Sequence, residues 1–379
     1  MRQLSASTIE PHAGEQPKNV FCRNASTKPI MNQCDCRQGT PTDSSGLKLA
    51  TAGFQRPVLW KSLWQAGSSL VSFIAVCALM YWSVSFSYWM TLGLAVLAAG
   101  LVVRIFVIQH DCGHGSLFRS RRANDLLGMV CSIVTLTPYA HWRRQHAGHH
   151  ATWNNLDRRP SGIDIYSSCL TVAEYRALPG LRRLFYRLVH HPLISSFLLP
   201  PLVFLFLYRF PFDTPKTWTR ERRAVHGTNI AIGTVIVALG LVAGFERVLV
   251  VQLPIMVIAS IVGVWIFSVQ HRFDAAVWLR QSGWSAEAAS LQGSSYLRLP
   301  RVLQWFTANI GFHHVHHLNP RVPNYRLQAC HRALPALQHA QALTIWGGLR
   351  ALSFVLWDEG RGEMVTLRMA RRGTRRGAI

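Results

Sequence analysis

Seventeen histidines stand in this chain of 379 residues, and eight of them fall in three tight clusters. His110 and His114 form HxxxH; His146, His149 and His150 form HxxHH; His313, His316 and His317 form HxxHH again. On a helix, residues i, i+3 and i+4 share a face, so each cluster can aim two or three imidazoles at one point. Helix bundles that hold two metal ions present their inward ligands in this way. Neutral imidazole binds iron, zinc, copper or nickel, and nitrogen donors alone do not choose among them. Eight donors exceed the three or four that one zinc takes, so the economical reading is two metal ions with open coordination positions. His141 and His314 adjoin clusters but fall outside the shared spacing. His12, His226, His331 and His339 read as ordinary surface, and His190-His191, just before Pro192, as interfacial.

Something must carry these clusters to one place, and the apolar segments between them are the means. Gly67 to Val103 runs without a charge, as do the 19 residues between His226 and Glu246 and the 23 between Arg247 and His271. A membrane span needs roughly 20 apolar residues. The first stretch accommodates two helices, about 68–86 and 90–109, turning near Ser87-Tyr88; the others accommodate one each, about 228–244 and 248–269, turning at Glu246-Arg247. Two shorter apolar segments, 126–140 and the Pro-broken 192–208, have the length of in-plane or re-entrant pieces. Parity agrees: if the clusters share one site, neither segment crosses the membrane alone. The expected fold is therefore an all-α integral membrane protein of two transmembrane hairpins. A helical cap carries the histidines, and His271, returned to that face by the last span, becomes a ninth candidate ligand.

Charge supports this topology. Forty Lys and Arg against seventeen Asp and Glu give +23, yet charged residues are only 15% of the chain. With only the hairpin tips outside, Arg247 alone of the forty basic residues lies on the outer side, so the opposite face, with both termini, is cytoplasmic. The excess of positive charge then faces membrane and partners; no basic domain of its own fold suggests nucleic acid. Residues 1–55 read as a mobile polar leader, 56–345 as the catalytic domain and 346–379 as a basic tail. Eight cysteines show no CxxC pair, and reduced thiols are the default in such a compartment. Cys34 and Cys36 offer a weak metal-site pattern, and the Asn24 sequon would face the cytoplasm.

The stretches HDCGHGSLF (110–118), HWRRQHAGHHATWNNLDRR (141–159), VQHRFD (269–274) and NIGFHHVHHLNPRVPNYRL (309–327) resemble the membrane fatty acid desaturase family. The likeness is greatest to the bacterial and plant acyl-lipid enzymes of the omega-6 (delta-12) type. The resemblance implies a multi-pass bacterial inner-membrane protein using two irons and O2 to remove two hydrogens from adjacent carbons of a fatty acyl lipid or acyl thioester. It implies as iron ligands His110, His114, His146, His149, His150, His313, His316, His317 and the family's extra histidine, His271. In stearoyl-CoA relatives an asparagine one turn before that histidine holds a water on one iron; here the position is Phe267, and Asn309 or solvent is the substitute. The HxxxH spacing departs from the stearoyl-CoA type, and His313 stands where front-end desaturases have glutamine. Neither subfamily is favoured.

Imidazoles that hold a metal need their second N–H anchored, and Asp111, Asp157 and Asp164 are candidates for that role. The sequence contains no HPGG haem motif, no cysteine pattern for an iron–sulfur cluster and no GxGxxG loop. Electrons then come from a separate donor such as ferredoxin, rubredoxin or cytochrome b5. Arg143, Arg144, Arg158 and Arg159 flank the second box and could meet an acidic donor or lipid phosphate. The same boxes also serve hydroxylases, epoxygenases and carotenoid-modifying oxygenases. A metal transporter is a remoter reading, since it would place its ligands near the bilayer midplane.

Overall fold

The structure, a computed structural model, describes residues 44–159, 166 and 168–376. Asp164, Cys34, Cys36, the Asn24 sequon, His12 and most of the expected leader lie outside these residues. Among the described residues four helices are long and apolar enough to cross a membrane: Leu59–Ser83, Tyr88–His114, Thr219–Ala243 and Phe245–His271. At about 1.5 Å per residue each exceeds the roughly 30 Å hydrocarbon core. They begin or end several residues beyond the apolar stretches, at 59 and not 68, and at 219 and not 228. The backbone ladder continues into water after the hydropathy signal has stopped.

The hairpins have local causes. Ser87 accepts a hydrogen bond from the Met90 N–H (3.3 Å) and caps the second span, as a serine at that position does. Between the third and fourth spans stands a single residue, Gly244, at φ 92°, where a side chain would be strained. The turn thus precedes the expected Glu246-Arg247, which instead open the fourth helix; an acidic residue there suits the helix N-terminus. Large side chains on the spans point outward, among them Ile230, Leu241 and Val242, an arrangement suited to lipid and costly in water. Trp82 and Trp89 flank the first turn, and Trp60 and Trp64 stand exposed at the other end of that hairpin, the places where aromatic belts form.

The second span is the central post, packed by the first span, the fourth span and the helix Arg121–Thr135. Its one basic residue before the histidine box is Arg104, whose guanidinium donates to Ser69 Oγ (2.9 Å) and to the Trp305 carbonyl and lies 4.1 Å over the Trp305 ring. This clamp holds the short helix Arg301–Phe306 against the post. Replacing Arg104 by alanine is expected to cost about 2–4 kcal/mol through the stranded carbonyl and lost packing. Arg104→Lys should recover only part of it, for want of a planar stacking group; a denaturant titration of the three proteins measures the difference.

The helix Gly180–Val189 is amphipathic, with Leu181, Phe185 and Leu188 exposed on one side. It bends by 58° into 194–209, where a π turn over Ile194–Leu198 and Pro200-Pro201 break the regular ladder. As His149 and His271 meet across two intervening spans, a third crossing would separate them, so this bent pair does not cross. The cap includes two small sheets: Leu170–Thr171, Phe354–Asp358 and Glu363–Thr366 in that order, and Tyr296–Leu297 parallel to Ala342–Leu343. The expected basic tail is thus largely folded. Val355, Leu356 and Val365 of its hairpin are buried, and only its last helix, Leu367–Arg376, is strongly basic.

Candidate metal centre

His110 and His114 end the second span, and His271 ends the fourth. The helices Tyr139–Thr152 and His313–Leu318 lie at these ends and carry the two HxxHH boxes. Ring nitrogens of His110, His114, His146, His150 and His316 lie within 4.8 Å of one another, and those of His149, His271 and His317 form a second such group. His313 joins the second group, its Nε2 standing 2.9 Å from His271 Nε2. Each box is shared. His146 and His150, one turn apart, face the first group, while His149, rotated by about 100° on the helix, faces the second. The short helix does the converse: His313 and His317 serve the second group and His316 the first. The expectation that each cluster aims at one point holds for His110 and His114, which share the first group, and is corrected for both HxxHH boxes. The rings of His150 and His317 stack with centroids 4.2 Å apart, so the two foci are neighbours.

The donor chemistry fits metal ions. His150 Nε2 lies 3.1 Å from His146 Nε2 and 3.0 Å from His316 Nε2, and His149 Nε2 lies 3.2 Å from His271 Nε2. A neutral imidazole has one donor and one acceptor nitrogen, so rings meeting through the same atom cannot all satisfy one another. His114 Nε2 and His317 Nε2 are buried without any hydrogen-bond partner among the described residues. A cation at each focus would resolve this. Burial first, then neighbouring imidazoles, pushes His146, His150, His313, His316 and His317 well below the ordinary value near 6.5. They are therefore neutral at physiological pH, with lone pairs free, as ligation requires.

Apolar walls enclose the rings. Trp142 stacks on His146 (centroids 4.6 Å), Trp153 packs on His271 (3.9 Å), and Phe267 lies 5.1 Å from His271. Trp153 is fixed by its indole N–H, which donates to the Gly293 carbonyl (3.0 Å). Of the supporting residues expected, Asp111 has an oxygen 3.5 Å from His110 Nδ1. Its other oxygen accepts from the backbone and side-chain N–H groups of Asn324 (2.7 and 2.9 Å), and Gln65 donates to Asn324 Oδ1 (2.7 Å). Asp157 instead pairs with Arg280 and the Gln281 N–H near the surface. Asn309, in the left-handed region at φ 62°, makes no side-chain hydrogen bond to a cluster histidine among the described residues.

The four flanking arginines are mostly occupied. Arg143 pairs with Asp125 (2.7 Å), Arg144 with Glu221 (3.1 Å) while stacking on Trp218, and Arg159 with Glu174 and the Cys169 carbonyl. They tie chain segments together, leaving Arg158 exposed. His141 reaches Asp213 (3.3 Å) and not the foci. His331, expected at the surface, is half-buried against His314, with nitrogens 3.0 Å apart. Trp142, Trp153, Gln65 and Asn324 were not singled out by the sequence. Gln65 alone carried a signal, as an amide opening an apolar stretch.

Two glycines test the rigidity of the boxes. A Cβ at Gly311 would come 2.6 Å from the Leu297 carbonyl oxygen, while Leu297 N–H bonds the Gly311 carbonyl (2.9 Å). Gly311→Ala is expected to cost about 1–3 kcal/mol and to weaken metal retention by moving His313. Gly148, beside His149, has nothing within 4 Å of its Cβ direction, so Gly148→Ala should be neutral or stabilising by up to about 1 kcal/mol. Thermal midpoints and metal content of both variants check this contrast.

The fold and site define the class: a helical membrane protein whose spans and cap helices together bring nine imidazoles to two adjacent foci. Residues 87–348 match the model of the family described as fatty acid desaturase. A fatty acid desaturase of Bacillus subtilis (strain 168) is 41% identical over 84% of this chain and 89% of its own length. An sn-1 oleoyl-lipid 12-desaturase of a Synechocystis species is 27% identical over 71% of this chain and 76% of its own. An endoplasmic-reticulum omega-3 fatty acid desaturase of Vigna radiata is 26% identical over 67% of each. The chain belongs to the fatty acid desaturase family.

Proposed function

We propose that this chain is an O2-dependent acyl desaturase of the omega-6 or delta-12 kind with a di-iron centre. His110, His114, His146, His150 and His316 would hold one iron, and His149, His271, His313 and His317 the other. The observation carrying this reading is the convergence of nine imidazoles, seven buried and those of His114 and His150 half-buried, on two adjacent foci at the ends of the spans. Bound iron would supply activation of O2 for hydrogen removal. Overall, a CH2–CH2 pair, O2, two electrons and two protons give CH=CH and two waters.

The chain's own residues supply position and dryness. Asp111, held by Asn324, which Gln65 holds in turn, sets a carboxylate oxygen 3.5 Å from His110 Nδ1, where a partner at hydrogen-bond distance would fix that ring's tautomer. Trp142, Trp153 and Phe267 cover the rings with apolar surface, excluding water from the reacting carbons. Electrons would come from ferredoxin, rubredoxin or cytochrome b5. The cytoplasmic side of a bacterial inner membrane is the location that the distribution of Lys and Arg supports. The name of the Synechocystis relative, an oleoyl-lipid 12-desaturase, favours a glycerolipid oleoyl chain as substrate. Metal transport finds no support in ligands that lie at the ends of the spans.

The test is the fatty acid profile of a heterologous host, by gas chromatography–mass spectrometry, with the donor supplied. A new dienoic acid with the wild type, absent with His146→Ala and His316→Ala, is expected. A product heavier by sixteen mass units would make it a hydroxylase, and a change confined to carotenoids would replace the acyl substrate.

A further inference from the structure

A cavity of about 710 Å³ opens beside His114, and four arginines, Arg56, Arg119, Arg121 and Arg321, line it together with Asn124 and no acidic residue. Arg121 has a partner, Asp125, at 3.4 Å. The guanidinium groups of Arg56, Arg119 and Arg321 have neither ion pair nor hydrogen bond among the described residues. Arg143, Arg144, Arg159 and Arg280, by contrast, are each paired with a carboxylate. The three side chains are exposed at the concavity, where water screens their mutual repulsion and an entering anion would meet three unpartnered guanidinium groups.

The cavity is built, because hydrogen bonds tie its three walls together. Asn124 accepts from the Phe118 N–H and donates to the Phe118 and Ser120 carbonyls, locking the loop that carries Arg119 and Arg121. Asn319, whose side chain accepts from the Arg321 N–H, donates to Thr51 Oγ1 (2.7 Å). Tyr325 Oη accepts from the Val58 N–H (2.8 Å), and Ser62 donates to the Leu117 carbonyl (2.6 Å). Its place relative to the bilayer is also fixed. The first span starts at Leu59, directly after the Arg56-Pro57 wall, with Trp60 and Trp64 exposed beside it. The second span ends at His114 in another wall. Interfacial tryptophans mark headgroup depth, where a phosphate joined to an acyl chain resides.

We propose that this cavity binds the phosphate joined to the acyl substrate, in a phospholipid headgroup or in the phosphopantetheine of an acyl thioester. The substrate's acyl identity rests on the desaturase reading; the phosphate site does not. Guanidinium binds phosphate oxygens in bidentate fashion. A concave site of this volume suits a small group better than the face of an acidic protein.

The experiment uses the purified full-length holoprotein and measures binding by displacement of a fluorescent lipid, without turnover. Probes are dioleoyl phosphatidylglycerol, oleoyl-CoA and dioleoyl digalactosyl diacylglycerol, the last free of phosphate. Arg119→Gln/Arg321→Gln is expected to lose on the order of tenfold or more in affinity for a phosphate-bearing probe and to leave the galactolipid within about twofold. Arg119→Lys/Arg321→Lys should keep part of the binding, and an unchanged melting midpoint shows that the fold is intact. Loss for phosphatidylglycerol or for oleoyl-CoA alone supports the site and names its source. Equal loss for the galactolipid, or no loss for either phosphate probe, overturns it. Intact phosphate-dependent binding with no unsaturated product would instead count against the desaturase reading.

Discussion

His271→Ala is expected to abolish product formation and to halve the metal content of the purified protein. His271 closes the fourth span, is fully buried, and its Nε2 meets His313 at 2.9 Å and His149 at 3.2 Å. It joins the second box to the third at the second focus, as the contact of His150 with His316 (3.0 Å) does at the first. Loss of a mere supporting partner costs roughly 10- to 100-fold; loss of a ligand at the junction should exceed this, leaving activity below detection. His141→Ala is the control, since His141 is equally buried but faces Asp213. It should keep both metals. Iron analysis with single-turnover assays measures the contrast, and two retained metals in His271→Ala would remove His271 from the ligand set.

Chelation is the second large effect. Metal bound by the native state and not by the unfolded chain contributes about 2.7 kcal/mol per site at a hundredfold excess over Kd. Two sites together are therefore worth on the order of 5 kcal/mol, a fall of roughly 10 °C in melting midpoint for a chain of this size. Without metal, the buried His114 and His317 nitrogens keep no partner, which adds to the loss. Stripping with a chelator should lower the midpoint of the wild type by about this amount and that of His271→Ala by about half as much. Readdition of ferrous iron should restore the wild type. A midpoint indifferent to chelation would mean that the imidazoles satisfy one another.

Much of this architecture was legible because its signals are local. The spans announce themselves as uncharged stretches, and the boxes as i, i+3, i+4 spacing; parity alone kept 192–208 from crossing. What was not legible depends on rotation and on distant partners. His149 and His150 are one word in the sequence but face different foci, since adjacent helical residues diverge by about 100°. Asp157 looked like a supporting carboxylate because it follows the second box, yet Arg280, 123 residues away, claims it. The Asp111–Asn324–Gln65 chain joins three remote segments and has no motif. The hairpin Phe354–Thr366 was hidden within a run read for its charge, although Val355, Leu356 and Val365 are core residues; its buried residues are contiguous and give no alternating strand pattern.

The sharing of both boxes between the foci has a consequence for biogenesis. Neither focus draws its donors from one contiguous segment: the first needs residues from 110 to 316, the second from 149 to 317. A nascent chain emerging from the ribosome can complete neither position until the last hairpin has been inserted and the third box translated. Metallation is then a report that membrane insertion has succeeded. A chain with a misoriented hairpin would leave His271 on the wrong side of the bilayer and stay incomplete at the second focus, open to quality-control proteases.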